Sequence, residues 1–198
     1  MDKQIIISIG REFGSAGHAI AEKVAQKYNF PFYDYNLLRE IATDKDLDIK
    51  ELEQYDEIPK CSFFTKAVCG VENTKEYNLA MMQFDFLRKK ASAGESFVVV
   101  GRCSEEILKD FDCMIPIFIT GDLEYKIKRV CEVYKMNEEL AYQTIISQNK
   151  KRKEYHNFYC KGKWGDSRNY ELCINSSKIG IDATCDLICD YVDKRANR

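Results

Sequence analysis

The opening of the chain constrains its fold more than any other segment. Ile5-Ile6-Ile7-Ser8-Ile9 is a short, largely β-branched apolar run, the pattern of a strand buried on both faces. It passes directly into a loop that carries Gly10, Gly14 and Gly17. Ile20, Ala21, Val24, Ala25 and Tyr28 then recur at helical spacing. Strand, glycine loop and helix in that order begin an α/β fold. The same alternation continues downstream. Residues 30–34 predict a second short strand and 37–42 a helix. Residues 44–78 are charged and irregular, with Pro59 and Gly70 as breakers. A helix over 79–93 ends at Gly94, and Phe97-Val98-Val99-Val100 reads as a buried strand closed by Gly101-Arg102. Further strands are expected at 115–119 and 172–175, with helices at 123–134, 138–153 and 182–194. Such a pattern predicts a parallel sheet with right-handed crossovers. Ligands of such sheets bind beyond the carboxyl ends of the strands, here Gly10, Asp34, Gly101 and Thr120.

The loop after the first strand is the natural anion site. A polyphosphate needs converging backbone N–H groups, a helix N-terminus behind them and a cation on its terminal phosphates. The usual spacing is G-x-x-x-x-G-K-[ST]. This chain reads Gly10-Arg11-Glu12-Phe13-Gly14-Ser15-Ala16-Gly17-His18-Ala19. With Gly17 as the second glycine, Glu12 stands at the first, His18 at the lysine, and no Ser or Thr follows. The amides of Gly14, Ser15, Ala16, Gly17, His18 and Ala19 can still form the cradle, because the N–H groups are independent of the lysine. The missing charge must come from elsewhere. Arg11 is the candidate, since it is always charged and grips phosphate with two donors, whereas His18 helps only when protonated. A plain strand-to-helix turn is the alternative.

Composition narrows the partners. At 198 residues and 45% hydrophobic content, the chain can bury one sizeable core with a small insert. Its 30 basic and 32 acidic residues nearly cancel to a formal net charge of -2, which argues against nucleic-acid or membrane binding through overall charge. No apolar run reaches the ~18 residues of a membrane span, and no signal-peptide layout precedes Ile5, so a cytoplasmic location is expected. Nine cysteines include no Cys-x-x-Cys pair, and His18 and His156 lie far in sequence from Cys185 and Cys189. Free thiols packed as small hydrophobes are therefore expected, with no metal held by the protein itself.

Four segments, SIGREFGSAGHAIAEKVAQKYNFPFYD, VVVGRCSEEIL, IFITGDLEYKIKRV and NKKRKEYHNFYCKGKWGDSRNYELCINSSKIGID, together resemble the cytidylate kinase-like family. The resemblance spans nearly the whole chain. It implies one P-loop NTPase-type domain over 1–198, a doubly wound parallel sheet with a helical NMP-binding insert near 36–95 and a basic lid near 133–168. It also implies roles for particular residues. Arg102 matches an arginine that holds the acceptor monophosphate, although Cys103 stands where an acidic residue follows in the kinases. Arg129 and Arg152 match arginines serving the donor phosphates, while Asn149 replaces an aspartate. Asp34 matches an aspartate near the acceptor. A surface ion pair for Arg102, a solvated helix face for Arg129, and a helix cap for Asp34 are the plainer readings.

The implied activity is phosphoryl transfer from ATP, with Mg2+, to a nucleoside monophosphate such as CMP or dCMP. A second reading stays open, a catalytically degenerate nucleotide- or phosphate-binding protein, because the lysine, the hydroxyl and two acidic positions are all missing. Basic and aromatic residues interleave from Lys150 to Trp164, as on single-strand-binding surfaces, but the near-neutral chain makes nucleic acid the weaker partner.

Overall fold

The computed structural model describes residues 3–34, 37–45 and 74–197. The expectations for residues 46–73, the middle of the NMP-binding insert, lie outside them. Five strands make one parallel sheet among the described residues: β1 (Ile6–Arg11), β2 (Phe32–Tyr33), β3 (Phe97–Val100), β4 (Met114–Thr120) and β5 (Leu172–Asn175), in the order β2-β3-β1-β4-β5. The helices are α1 (Gly17–Tyr28), α2 (Leu37–Lys45), α3 (Lys75–Ser92), α4 (Ser104–Ile107), α5 (Leu123–Tyr134), α6 (Glu138–Tyr159) and α7 (Ser176–Ala196).

The period-two pattern of the strands divides the core. Ile7, Ile9, Val98, Val100, Ile117 and Ile119 face α1 and α7, where Ile20, Val24, Ile188 and Val192 meet them. Ile6, Phe97, Val99 and Met114 face the other side and pack against Leu37, Phe86, Leu87 and Leu108. Burial on both faces explains why β1 and β3 read as unbroken apolar runs rather than alternating ones. The two flanking layers make the sheet doubly wound, as expected.

Several boundaries differ from the sequence expectation for identifiable reasons. The second strand shrinks to two residues at the sheet edge, although the Pro31 carbonyl still accepts from Val98 N at 2.9 Å. Helix α3 starts earlier, because the Thr74 hydroxyl caps it by accepting from Tyr77 N. Helix α6 runs past residue 153 to Tyr159, since Tyr155 and Tyr159 pack with Ala80, Phe84 and Cys103. Helix α7 starts at Ser176, with Asn175 capping it, and kinks at Gly180, whose φ of 79° is non-helical. No described helix is long and apolar enough to cross a membrane.

β1 sits between β3 and β4, so the strand order reverses at β1. That reversal opens a crevice beyond its carboxyl end, the general ligand position of open α/β sheets. The glycine loop, the turn after β3 and the end of β4 all converge there.

Candidate active site

The loop of residues 12–16 is built by its own polar residues. Gly14 (φ 84°) and Ala16 (φ 61°) are left-handed, which turns successive amides toward one side. Ser15 is fully buried. Its hydroxyl donates to the carbonyls of Glu12 (2.9 Å) and Ile119 (3.1 Å), and its own carbonyl accepts from Ser176 Oγ at 2.6 Å. Ser15 is thus an internal strut, and its side chain is turned away from the cavity described below.

Glu12, at the position of the missing first glycine, anchors the loop to the end of β4. Its Oε2 accepts from Thr120 Oγ1 (2.6 Å), Lys126 Nζ (2.8 Å) and Gly121 N (3.2 Å). Burial acts to raise the Glu12 pKa, but the Lys126, Thr120 and Gly121 contacts outweigh it and hold the carboxyl below its ordinary value. Lys126 lies on the same helix as Arg129, yet it is buried. Sequence reasoning missed this pair. The one available signal was an acid at a glycine position, which asks for a base nearby.

Helix α1 begins at Gly17, directly after the loop. Its N-cap is Ala16, which offers no capping side chain, and no acidic residue lies in its first turn. The first amides of a helix have no intrahelical acceptor, and the positive end of its dipole is left for an external anion. Helix α6 holds the loop from the opposite side. Asn149 Oδ1 accepts from Phe13 N at 2.7 Å, Arg152 Nη1 donates to the Arg11 carbonyl at 3.3 Å, and the Arg152 guanidinium lies 5.4 Å from the centre of the Phe13 ring. Asn149, read as a replaced aspartate, is therefore a brace for the loop backbone.

A cavity of about 470 Å³ opens in front of these elements. Arg11, Arg102, Arg129 and Arg152 line it together with Gly14, Ala16, Gly17, His18, Ala19 and Asp34. The structure thus gathers every sequence-predicted site residue at one cavity except Ser15. The arginines come from β1, the turn after β3, α5 and α6. The Arg11 stem crosses Gly17, where an added Cβ would lie 2.5 Å from Arg11 Cβ, and its guanidinium lies against Gly101, where any Cβ would collide with it. Arg11 therefore reaches from the glycine loop to the turn after β3 rather than staying over the first turn of α1. That turn is unusual. Gly101, Arg102 and Cys103 are left-handed in succession, at φ 72°, 58° and 53°. Two such non-glycine residues in a row are strained, and strain of this kind concentrates at functional sites. The Ser104 hydroxyl and amide fasten the turn to the Gly101 carbonyl at 2.7 Å and 3.1 Å. Arg102 is only 5% exposed, so the surface ion pair considered for it does not describe its setting. Asp34 is buried, and its Oδ2 accepts from His18 Nε2 at 2.6 Å. The His18 and Asp34 side chains thus join the first turn of α1 to the end of β2.

This geometry can be set beside known proteins. The sequence model of the cytidylate kinase-like family matches residues 6–178. A cytidylate kinase of Methanococcus vannielii is 26% identical over 192 residues, covering 93% of this chain and 97% of that protein. A crystal structure of an uncharacterized protein from Eubacterium ventriosum is 43% identical, with a TM-score of 0.77 over 96% of this chain and 99% of that one. Shikimate kinase from Bacteroides thetaiotaomicron is 14% identical with a TM-score of 0.56, over 96% and 98% of the two chains. At that identity the likeness speaks for the fold alone, and the fold is that of P-loop kinases. The chain belongs to the cytidylate kinase-like family.

Proposed function

We propose that the protein transfers the terminal phosphoryl group of MgATP to a nucleoside monophosphate, with CMP or dCMP as the acceptor. Family membership and the kinase fold support a nucleotide kinase activity; the acceptor is inferred from the family and from the cavity. One observation carries the reading: four arginines from four separate elements line one cavity at the N-terminus of an uncapped helix, in a chain whose formal net charge is -2. Among the described residues Glu12 and Asp34 are the carboxylates on that wall, and each also has a basic partner beside it, Lys126 and His18.

In this reading the amides of Gly14 to Ala19 and the α1 dipole hold the donor phosphates. Arg129 and Arg152 neutralise them. Arg102 holds the acceptor phosphate, and Arg11, lying between the glycine loop and Gly101, serves the phosphoryl group in transit. Phosphoryl transfer proceeds through in-line positioning and charge neutralisation, so the chain needs no nucleophile of its own. Magnesium enters with ATP and adds charge neutralisation at the phosphates. With the Ser15 hydroxyl turned away, Asp34 and Glu12 are the carboxylates of the cavity wall that would face it.

A coupled assay with ATP, Mg2+ and a panel of nucleoside monophosphates tests this reading. Turnover with CMP is expected, and Arg102→Ala should raise the KM for CMP at least ~10-fold while changing the KM for ATP little. A second reading, nucleotide binding without catalysis, draws on the histidine at the lysine position and the inward Ser15 hydroxyl. Thermal stabilisation by ATP without turnover of any acceptor would favour it.

A further inference from the structure

The sharp turn after Arg102 and the far end of α6 meet in a second polar cluster that phosphoryl transfer does not use. Glu105 and His156 are buried, at 8% and 5% exposure. His156 Nε2 donates to Glu105 Oε1 at 2.5 Å. A ligand atom of Cys160, one helical turn beyond His156, lies with those of His156 and Glu105 so that all three fall within 4.8 Å of one another. Cys103, two residues before Glu105, is buried as well. Beside them is a void of about 20 Å³, lined in part by Cys103, Glu105 and His156. That volume suits a single water or ion.

We propose that Cys103, Glu105, His156 and Cys160 form a tetrahedral binding site for Zn2+, which pins the Arg102 turn to helix α6. The donor set is the argument. Two sulfurs, one imidazole and one carboxylate are soft-to-borderline ligands that select zinc over magnesium or calcium. Around a tetrahedral zinc, neighbouring ligand atoms sit roughly 3.3–3.8 Å apart, given metal–ligand bonds of about 2.0–2.3 Å. The Glu105, His156 and Cys160 ligand atoms, all within 4.8 Å of one another, reach that spacing with side-chain movements of about 1 Å, and Cys103 would complete the set. Cys160 caps the C-terminus of α6, its amide donating to the His156 carbonyl at 2.8 Å, and Cys103 and Glu105 come from the turn after β3. A dication with two thiolates and a carboxylate leaves a net charge of about -1, which suits the Arg11, Arg102 and Arg152 side chains lining the same void. Spacing along the chain hides the set, because its halves lie on two segments that only the fold joins.

The test uses the full chain, stripped with a chelator under reducing conditions and titrated with Co2+ and then Zn2+. One equivalent of Co2+ should give the intense visible absorption of a tetrahedral site and a sulfur-to-metal charge-transfer band, and Zn2+ should displace both. Cys160→Ser and His156→Ala should weaken Zn2+ at least ~10-fold, and Zn2+ should raise the Tm of the wild type more than that of Cys160→Ser. Octahedral cobalt absorption without the sulfur band in the wild-type protein would overturn the site, whatever the variants do. So would Zn2+ binding unchanged in a folded Cys160→Ser, or a Cys103–Cys160 disulfide that persists under reduction in place of metal binding.

Discussion

Individual residues carry the departures from a standard phosphate loop, and they compensate one another. Glu12 replaces a glycine, and the loop tolerates it because Lys126, Thr120 and Gly121 take up its charge at the end of β4. Lys126→Met leaves that carboxylate without its ammonium and should cost about 1.5–3 kcal/mol at pH 7, the range for a hydrogen bond to a charged group. The sign with pH follows from the lowered pKa of Glu12. Its contribution is fully present above the ordinary value of 4.5 and drains away as the pH falls through the lower folded value. Urea midpoints of the wild type and Lys126→Met should therefore draw together on acidification below that value. A gap that stays constant with pH would mean that the ion pair contributes nothing to stability. Gly101 works at the same scale: its φ of 72° and the Arg11 guanidinium pressed against it leave no room for a side chain.

At the scale of elements, the strands were readable and the joints between helices were not. Phe97–Val100 was predicted with its observed bounds because four apolar residues stand between Gly94 and Gly101. The glycine loop and the arginines could be named from the sequence, but the bracing of the loop by α6 could not. The Asn149 contact to Phe13 N spans 136 residues and leaves no local pattern. The continuation of α6 to Tyr159 depends on aromatic packing against α3, with Phe84 and Tyr159 ring centres 5.4 Å apart, so tertiary contacts override a polar, basic sequence. Four-residue α4 was missed because it is too short for any periodicity. The brace makes its own prediction. Asn149→Leu strands the Phe13 amide at a cost of about 1–3 kcal/mol. Steady-state kinetics should show a higher KM for ATP and a nearly unchanged KM for the acceptor. Equal effects on both substrates would place Asn149 outside the donor site.

Across the whole molecule, abundant charges of both signs nearly cancel, yet they are locally segregated. The chain is slightly acidic overall, yet its reversal point holds Arg11, Arg102, Arg129 and Arg152 around one cavity, and a low-dielectric cleft of one sign focuses its field on a ligand of the other. A ligand that binds only the folded state stabilises it by mass action, so ATP at ~100 times its Kd should add about 2.7 kcal/mol. For a domain of this size that corresponds to a rise in Tm of roughly 5–10 °C. The central claim is that this cavity recognises a polyphosphate chain. Calorimetric titration of ATP and AMP into the wild type and Arg11→Ala tests it most directly. The account predicts that ATP binds more tightly than AMP and that Arg11→Ala narrows the ratio at least ~10-fold; equal affinities for ATP and AMP, or a ratio untouched by the substitution, would contradict it.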